Sequence, residues 1–164
     1  MIPGIGGEQI TLLERLCNAC AVSGDEGEVR AIVLEEIRPF VDEYRVDALG
    51  NVLAIKRGAG EGLLRVMLAA HMDEVGFMLT NEEGGANGDD GIFRFDTVGG
   101  LDVRQLAGKA VLIGKQHVPG VIGAKPIHLT TPEERKQAIS VETLRIDVGP
   151  GNQSRVKVGD RATF

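Results

Sequence analysis

The sequence predicts an α/β chain in two parts, a helical and mixed segment over residues 1–73 and a compact β-rich barrel or sandwich over residues 74–164. Three observations carry this expectation. Apolar residues recur at helical spacing twice near the start; Leu63 to Ala70 is an almost unbroken apolar run, interrupted by Arg65, of the kind a strand covered on both faces shows; beyond Asp73 short apolar runs alternate with glycines. A length of 164 residues suits one ordinary domain, or two small units sharing a boundary, and we place a soft boundary just after Asp73.

After a leader over residues 1–7 expected to be flexible, Ile10, Leu13, Leu16, Cys17 and Cys20 recur every three or four positions, which puts them on one face of a helix. Ser23 with Glu26 three positions on forms a capping-box pattern. Val29, Ile32, Val33 and Ile37 then mark the stripe of a second helix that Pro39 ends. Tyr44 to Asp47 and Val52 to Lys56 read as a hairpin around Ala48-Leu49-Gly50-Asn51. A turn at Gly58 to Glu61 leads into the apolar run, whose end delivers His71. The runs Val75–Leu79, Gly91–Phe95, Ala110–Ile113, Gly120–Ile122, Thr143–Val148 and Arg155–Phe164 supply the β-rich unit, and Thr131 to Gln137, behind a Thr cap, is expected to form its short helix. No internal repeat is evident.

With 43% hydrophobic and 26% charged residues the balance is that of a soluble globular protein. One Tyr, five Phe and no Trp beside 23 Gly predict an aliphatic core and frequent turns. A formal net charge of -6 offers no attraction to phosphate backbones or anionic lipid, so nucleic-acid and membrane partners are excluded as expectations. The longest uninterrupted apolar stretch, Val66 to Ala70, is far short of a membrane span, and no signal segment is visible, which points to a cytoplasmic protein. Cys17-Asn18-Ala19-Cys20 lacks the preceding strand of a redox motif and the second ligand pair of a zinc site. Both cysteines are expected to pack in a core as free thiols.

The most informative residues are Ala69-Ala70-His71-Met72-Asp73-Glu74-Val75-Gly76-Phe77. A histidine at the carboxyl end of a strand can hold its imidazole in a cleft on a rigid backbone, as a metal ligand must be held. Asp73, two residues on, would face the same side in extended geometry and could accept the other ring N–H, fixing the tautomer. On spacing alone a hydrogen-bonded structural histidine competes with this reading, because a catalytic zinc needs roughly three protein ligands.

That run is preceded by Val22-Ser23-Gly24-Asp25-Glu26 and Asp47-Ala48-Leu49-Gly50-Asn51-Val52, and followed by Val98-Gly99-Gly100 and Gly120-Val121-Ile122-Gly123-Ala124-Lys125-Pro126-Ile127-His128-Leu129. In this order the motifs resemble the co-catalytic two-metal aminopeptidases, which include glutamyl aminopeptidases and tetrahedral self-compartmentalising peptidases, some labelled endoglucanases. The resemblance runs through nearly the whole chain and implies the N-terminal part of a mixed α/β catalytic domain followed by an inserted β-rich, PDZ-like dimerisation domain. It implies two divalent metal ions, zinc or cobalt, and peptide substrates cut at the first peptide bond by a hydroxide generated between the metals. By the same resemblance His71 matches a metal ligand and Asp73 the catalytic carboxylate that positions it. The bridging Asp, the adjacent Glu pair, a further carboxylate and a late His implied by the family have no match here.

The expectation is therefore a truncated or split chain, inactive alone, with no ion or one weakly bound, a homo-oligomer that could be completed by a missing C-terminal half. The alternative is a noncatalytic assembly module, and a glycoside hydrolase, which needs two facing carboxylates, is weaker still. Weaker signals receive structural readings: His117 and His128 as loop residues rather than ligands, Asn81 to Asp90 as a solvated hairpin tip rather than a calcium loop, and Gly108-Lys109 and Gly114-Lys115 as turns rather than phosphate loops.

Overall fold

A computed structural model of the protein describes residues 4–60, 62, 64–83, 91–136 and 139–164, and among these the frequent glycines and short apolar runs become two α-helices and eight strands separated by tight turns. The chain divides into two compact units, Met1–Asp73 and Glu74–Phe164.

In the first unit, α1 (Gly7–Asn18) opens with Gln9 Oε1 accepting the Gly6 N–H at 2.9 Å and ends where Ala19 turns extended. The expected apolar face forms but is not covered: Ile10 and Leu13 are 59% and 61% exposed, Cys17 is exposed and Cys20 only half-buried. Neither cysteine is in a disulfide and neither is a core residue: α1 has no fully buried side chain, and Cys20 lies beyond its end. Arg15 Nη1 donates to Glu36 Oε1 at 2.9 Å and ties α1 to α2 (Gly27–Ile37). A 3-10 turn, Arg38–Phe40, carries Pro39 where the helix stops. The capping box expected of Ser23 and Glu26 is absent; Glu26 itself is the N-cap residue, with no side-chain cap bond, and the Ser23 hydroxyl is engaged elsewhere.

The hairpin is present. β1 (Glu43–Val46) pairs antiparallel with β2 (Val52–Ile55), from Glu43 opposite Ile55 to Val46 opposite Val52. Asp47 closes the turn, its Oδ1 accepting the N–H of Leu49 and of Asn51 at 2.9 Å, while Gly50 takes φ 88°, which favours glycine.

The central strand expected over Leu63–Ala70 and ending in His71 is not formed over its described residues, 64–71. Residues 64–70 belong to no ladder, and Leu64, Val66, Met67 and Leu68 are 76–93% exposed. The physical reason is lack of a neighbour: among the described residues of this unit the only sheet is the two-stranded β1–β2 pair, and a strand needs adjacent N–H and C=O groups to exist.

The second unit is a closed six-stranded antiparallel barrel, resolving the barrel-or-sandwich expectation in favour of a barrel. Its strands are β3 (Gly76–Glu83), β4 (Ile92–Val98), β5 (Ala110–Ile113), β6 (Val118–Gly123), β7 (Arg145–Asp147) and β8 (Arg161–Thr163), ordered β3-β4-β7-β6-β5-β8 around the ring. The ring closes through β8 on β3, with Phe77 opposite Ala162 and Met78 opposite Arg161. Period-two alternation fills the interior. Phe77 and Leu79, Phe93 and Phe95, Val111 and Ile113, and Val118 and Ile122 point inward, with Leu106, Leu144 and Ile146 completing the core. Phe77 meets the edge of Phe95 at 5.0 Å between ring centres. A bulge between Leu79 and Asn81 sharpens the twist of β3.

The run Arg155–Phe164 yields only β8, because Asp160 closes a turn on Lys157 and Gly159 takes φ 95°. The expected helix at Thr131–Gln137 is instead a 3-10 turn, Glu134–Lys136. Thr131 and Glu134 cap it reciprocally: Glu134 Oε2 accepts the Thr131 N–H at 2.6 Å and Thr131 Oγ1 accepts the Glu134 N–H at 3.2 Å. Gln137, Leu63, Glu61 and most of the expected hairpin tip lie outside the described residues.

Candidate functional site

His71 stands at the end of the uncovered apolar run, with its side chain 85% exposed. Asp73 lies beside the imidazole. His71 Nδ1 lies 2.9 Å from the Asp73 carbonyl oxygen and 3.1 Å from Asp73 Oδ1. Both neighbours are acceptors, so the ring hydrogen-bonds to either only by donating from Nδ1. The lone pair of the neutral imidazole is then on Nε2.

Asp73 is held from its other side by Ser23, whose Oγ donates to Asp73 Oδ2. That hydroxyl is the main reason the Asp73 carboxyl lies below the usual carboxylate range; partial burial opposes it, and the Asp73 N–H and His71 add to the lowering. The carboxylate is therefore ionised at neutral pH and purely an acceptor. The line of contacts is Ser23 hydroxyl, Asp73 carboxylate, His71 Nδ1.

The chemistry available to this group fits a divalent cation. An imidazole anchored through Nδ1, with its lone pair on Nε2, is the arrangement in which a protein histidine ligates zinc or its neighbours, and the carboxylate behind it fixes the tautomer. Among the described residues this group supplies one ligand position, the His71 imidazole. His117 occupies the β5–β6 turn at φ 48° and His128 an exposed 3-10 turn, both in the second unit. Sequence reasoning paired His71 with Asp73 and assigned Ser23 to a helix cap; the structure brings the three side chains together, and the Val22–Glu26 motif was the one signal in the sequence that pointed to Ser23.

The profile of the family described as M42 glutamyl aminopeptidase matches residues 50–164. Among curated proteins, "Putative aminopeptidase FrvX" of Escherichia coli (strain K12) is 37% identical over 151 residues, which is 90% of this chain and 40% of that protein. Among solved structures, the TET aminopeptidase of Thaumarchaeota archaeon SCGC AB-539-E09 superposes with a TM-score of 0.82 at 33% identity, over 95% of this chain and 44% of that one. The TET1 peptidase of Pyrococcus horikoshii, which can assemble into a tetrahedron or a large octahedral shell, superposes at 0.75 with 36% identity, over 94% and 46% of the two chains. The chain thus spans less than half the length of each of these relatives.

Proposed function

The chain belongs to the M42 glutamyl aminopeptidase family, and from that premise we propose that it contributes one metal ligand, His71, and the carboxylate that orients it, Asp73, to a two-metal aminopeptidase. Enzymes of this family are dinuclear, and two divalent ions, zinc or cobalt in this reading, supply Lewis acidity and an activated water for attack on the first peptide carbonyl. The residues in hand do the work of presentation. Asp73 holds the proton of His71 on Nδ1 and fixes the ring, so that Nε2 meets an ion without reorientation. Residues 1–73 are the first segment of the catalytic domain and residues 74–164 a PDZ-like dimerisation domain within a homo-oligomer. A cytoplasmic setting suits two cysteines that form no disulfide.

The observation that carries this reading is the pair of acceptors, at 2.9 and 3.1 Å, facing Nδ1 of an exposed imidazole. The remaining ligands implied by the family have no match among the 164 residues, so these residues taken alone are expected not to turn over peptide. The test is an aminopeptidase assay of the purified chain on amino-acid p-nitroanilides with zinc or cobalt, run beside light scattering. Turnover lost in His71→Ala would refute the incompleteness. A stable inactive oligomer whose His71 resonances ignore zinc would favour a noncatalytic assembly module.

A further inference from the structure

A serine followed three positions later by glutamate just ahead of a helix ordinarily caps that helix. Ser23 does not. Its hydroxyl reaches Asp73, fifty positions along the chain, and α2 begins without a side-chain cap. The local backbone shows how Ser23 is held for this purpose. The Asp25 N–H donates to the Val22 carbonyl at 2.8 Å, closing a turn whose third residue, Gly24, has φ 87°, the signature of a type II turn. Ser23 is the second residue of that turn. Glu26 Oε1 accepts the Gly24 N–H and braces it further.

The consequence follows from carboxylate geometry. The Asp73 side chain ends in a torsion with broad preferences, so one hydrogen bond to an exposed imidazole leaves the carboxylate plane free to swing. A second donor on the other oxygen removes that freedom. Oδ2 is taken by Ser23, and Oδ1 is thereby aimed at His71 Nδ1, 3.1 Å away.

We propose that Ser23 is a positioning residue for the metal site: by clamping Asp73 it fixes the tautomer and orientation in which His71 offers Nε2 to a divalent ion. The inference rests on the functional reading above, which assigns His71 and Asp73 but gives Ser23 no part. It also specifies why a serine stands in this turn: the position needs a short hydroxyl donor, which threonine retains and alanine lacks.

The test reads the imidazole directly, without turnover. In the 15N-labelled full chain at about pH 8.5, some two units above the ordinary histidine value of about 6.5, long-range 1H–15N correlation reports which ring nitrogen of His71 carries the proton. The wild type and Ser23→Thr should show the Nδ1–H form predominating, and Ser23→Ala should shift population to the Nε2–H form. Zinc titrated into the same samples should perturb His71 Nε2 in all three, with affinity weakened up to about tenfold in Ser23→Ala and restored in Ser23→Thr. Should Ser23→Ala fail to fold, the wild type still decides: the Ser23 hydroxyl proton should resist exchange and show a cross-relaxation peak to Asp73 Hβ. Unchanged tautomers in a folded Ser23→Ala, or a rapidly exchanging Ser23 hydroxyl in the wild type, would overturn the inference. If zinc binds Nε2 while the tautomer ignores Ser23, only the positioning role fails; if zinc leaves His71 unperturbed, the metal reading fails instead.

Discussion

Glu83, at the end of β3, receives two guanidinium groups. Arg145 Nε and Nη2 donate to its carboxylate at 2.6 and 2.8 Å, and Arg94 Nε donates as well. Arg145 foremost and Arg94 next push its pKa from the ordinary 4.5 down to about 2. A carboxylate with a depressed folded-state value contributes stability that is complete above the unfolded value and is lost as pH falls from about 4.5 through about 2. Thermal melts of wild type and Glu83→Gln should therefore differ most above about pH 5 and converge toward pH 2; a constant gap would remove Glu83 from the acid response. Legibility at this scale depended on sequence distance. His71 and Asp73 could be paired because they are two residues apart in sequence. Ser23 and Arg145 could not be matched to Asp73 and Glu83, since contacts spanning 50 and 62 positions arise only once the chain has turned back on itself.

Elements with a clear period were the readable ones. Short apolar runs punctuated by glycine each overlap one of the six barrel strands, five of them to within about four residues and the run Arg155–Phe164 only in its last part, and three- and four-residue spacing located both helices. Residues 64–70 show the limit of the method, for their composition describes the environment a strand would need, while strand structure also demands a hydrogen-bonding neighbour that apolar side chains do not provide. Cys17 failed similarly, since a stripe on α1 marks a face suited to burial without supplying the cover. With no ladder to protect it, the exposed run should be the first site of attack by trypsin, after Arg57 or Arg65. Sequencing early fragments from a limited digest checks this, and initial cleavage within β3–β8 would contradict it.

For the whole molecule, apolar burial is divided very unequally. The barrel encloses a continuous core from Phe77 to Ala162, whereas the fully buried hydrophobic residues described in the first unit are Ala21 and Val22. At about 1.5–3 kcal/mol per fully buried large apolar side chain, the barrel should resist urea to higher concentration. Residue-resolved NMR through a urea titration is expected to lose α1, α2 and the β1–β2 hairpin before any barrel strand, and simultaneous loss would mean that the units fold as one. Among the described residues no helix is long and apolar enough to cross a membrane.

The ring closes between its first strand and its last, with Phe77 opposite Ala162 and Thr163 Oγ1 donating to Glu74 Oε1 at 2.9 Å. Adjacent strands sit about 5 Å apart, so the first and last strands of this unit lie side by side. A module built that way can be spliced into a surface loop of a host as a self-contained cassette, widening the gap between the flanking residues by little more than one hairpin's breadth and asking no rearrangement of the fold on either side.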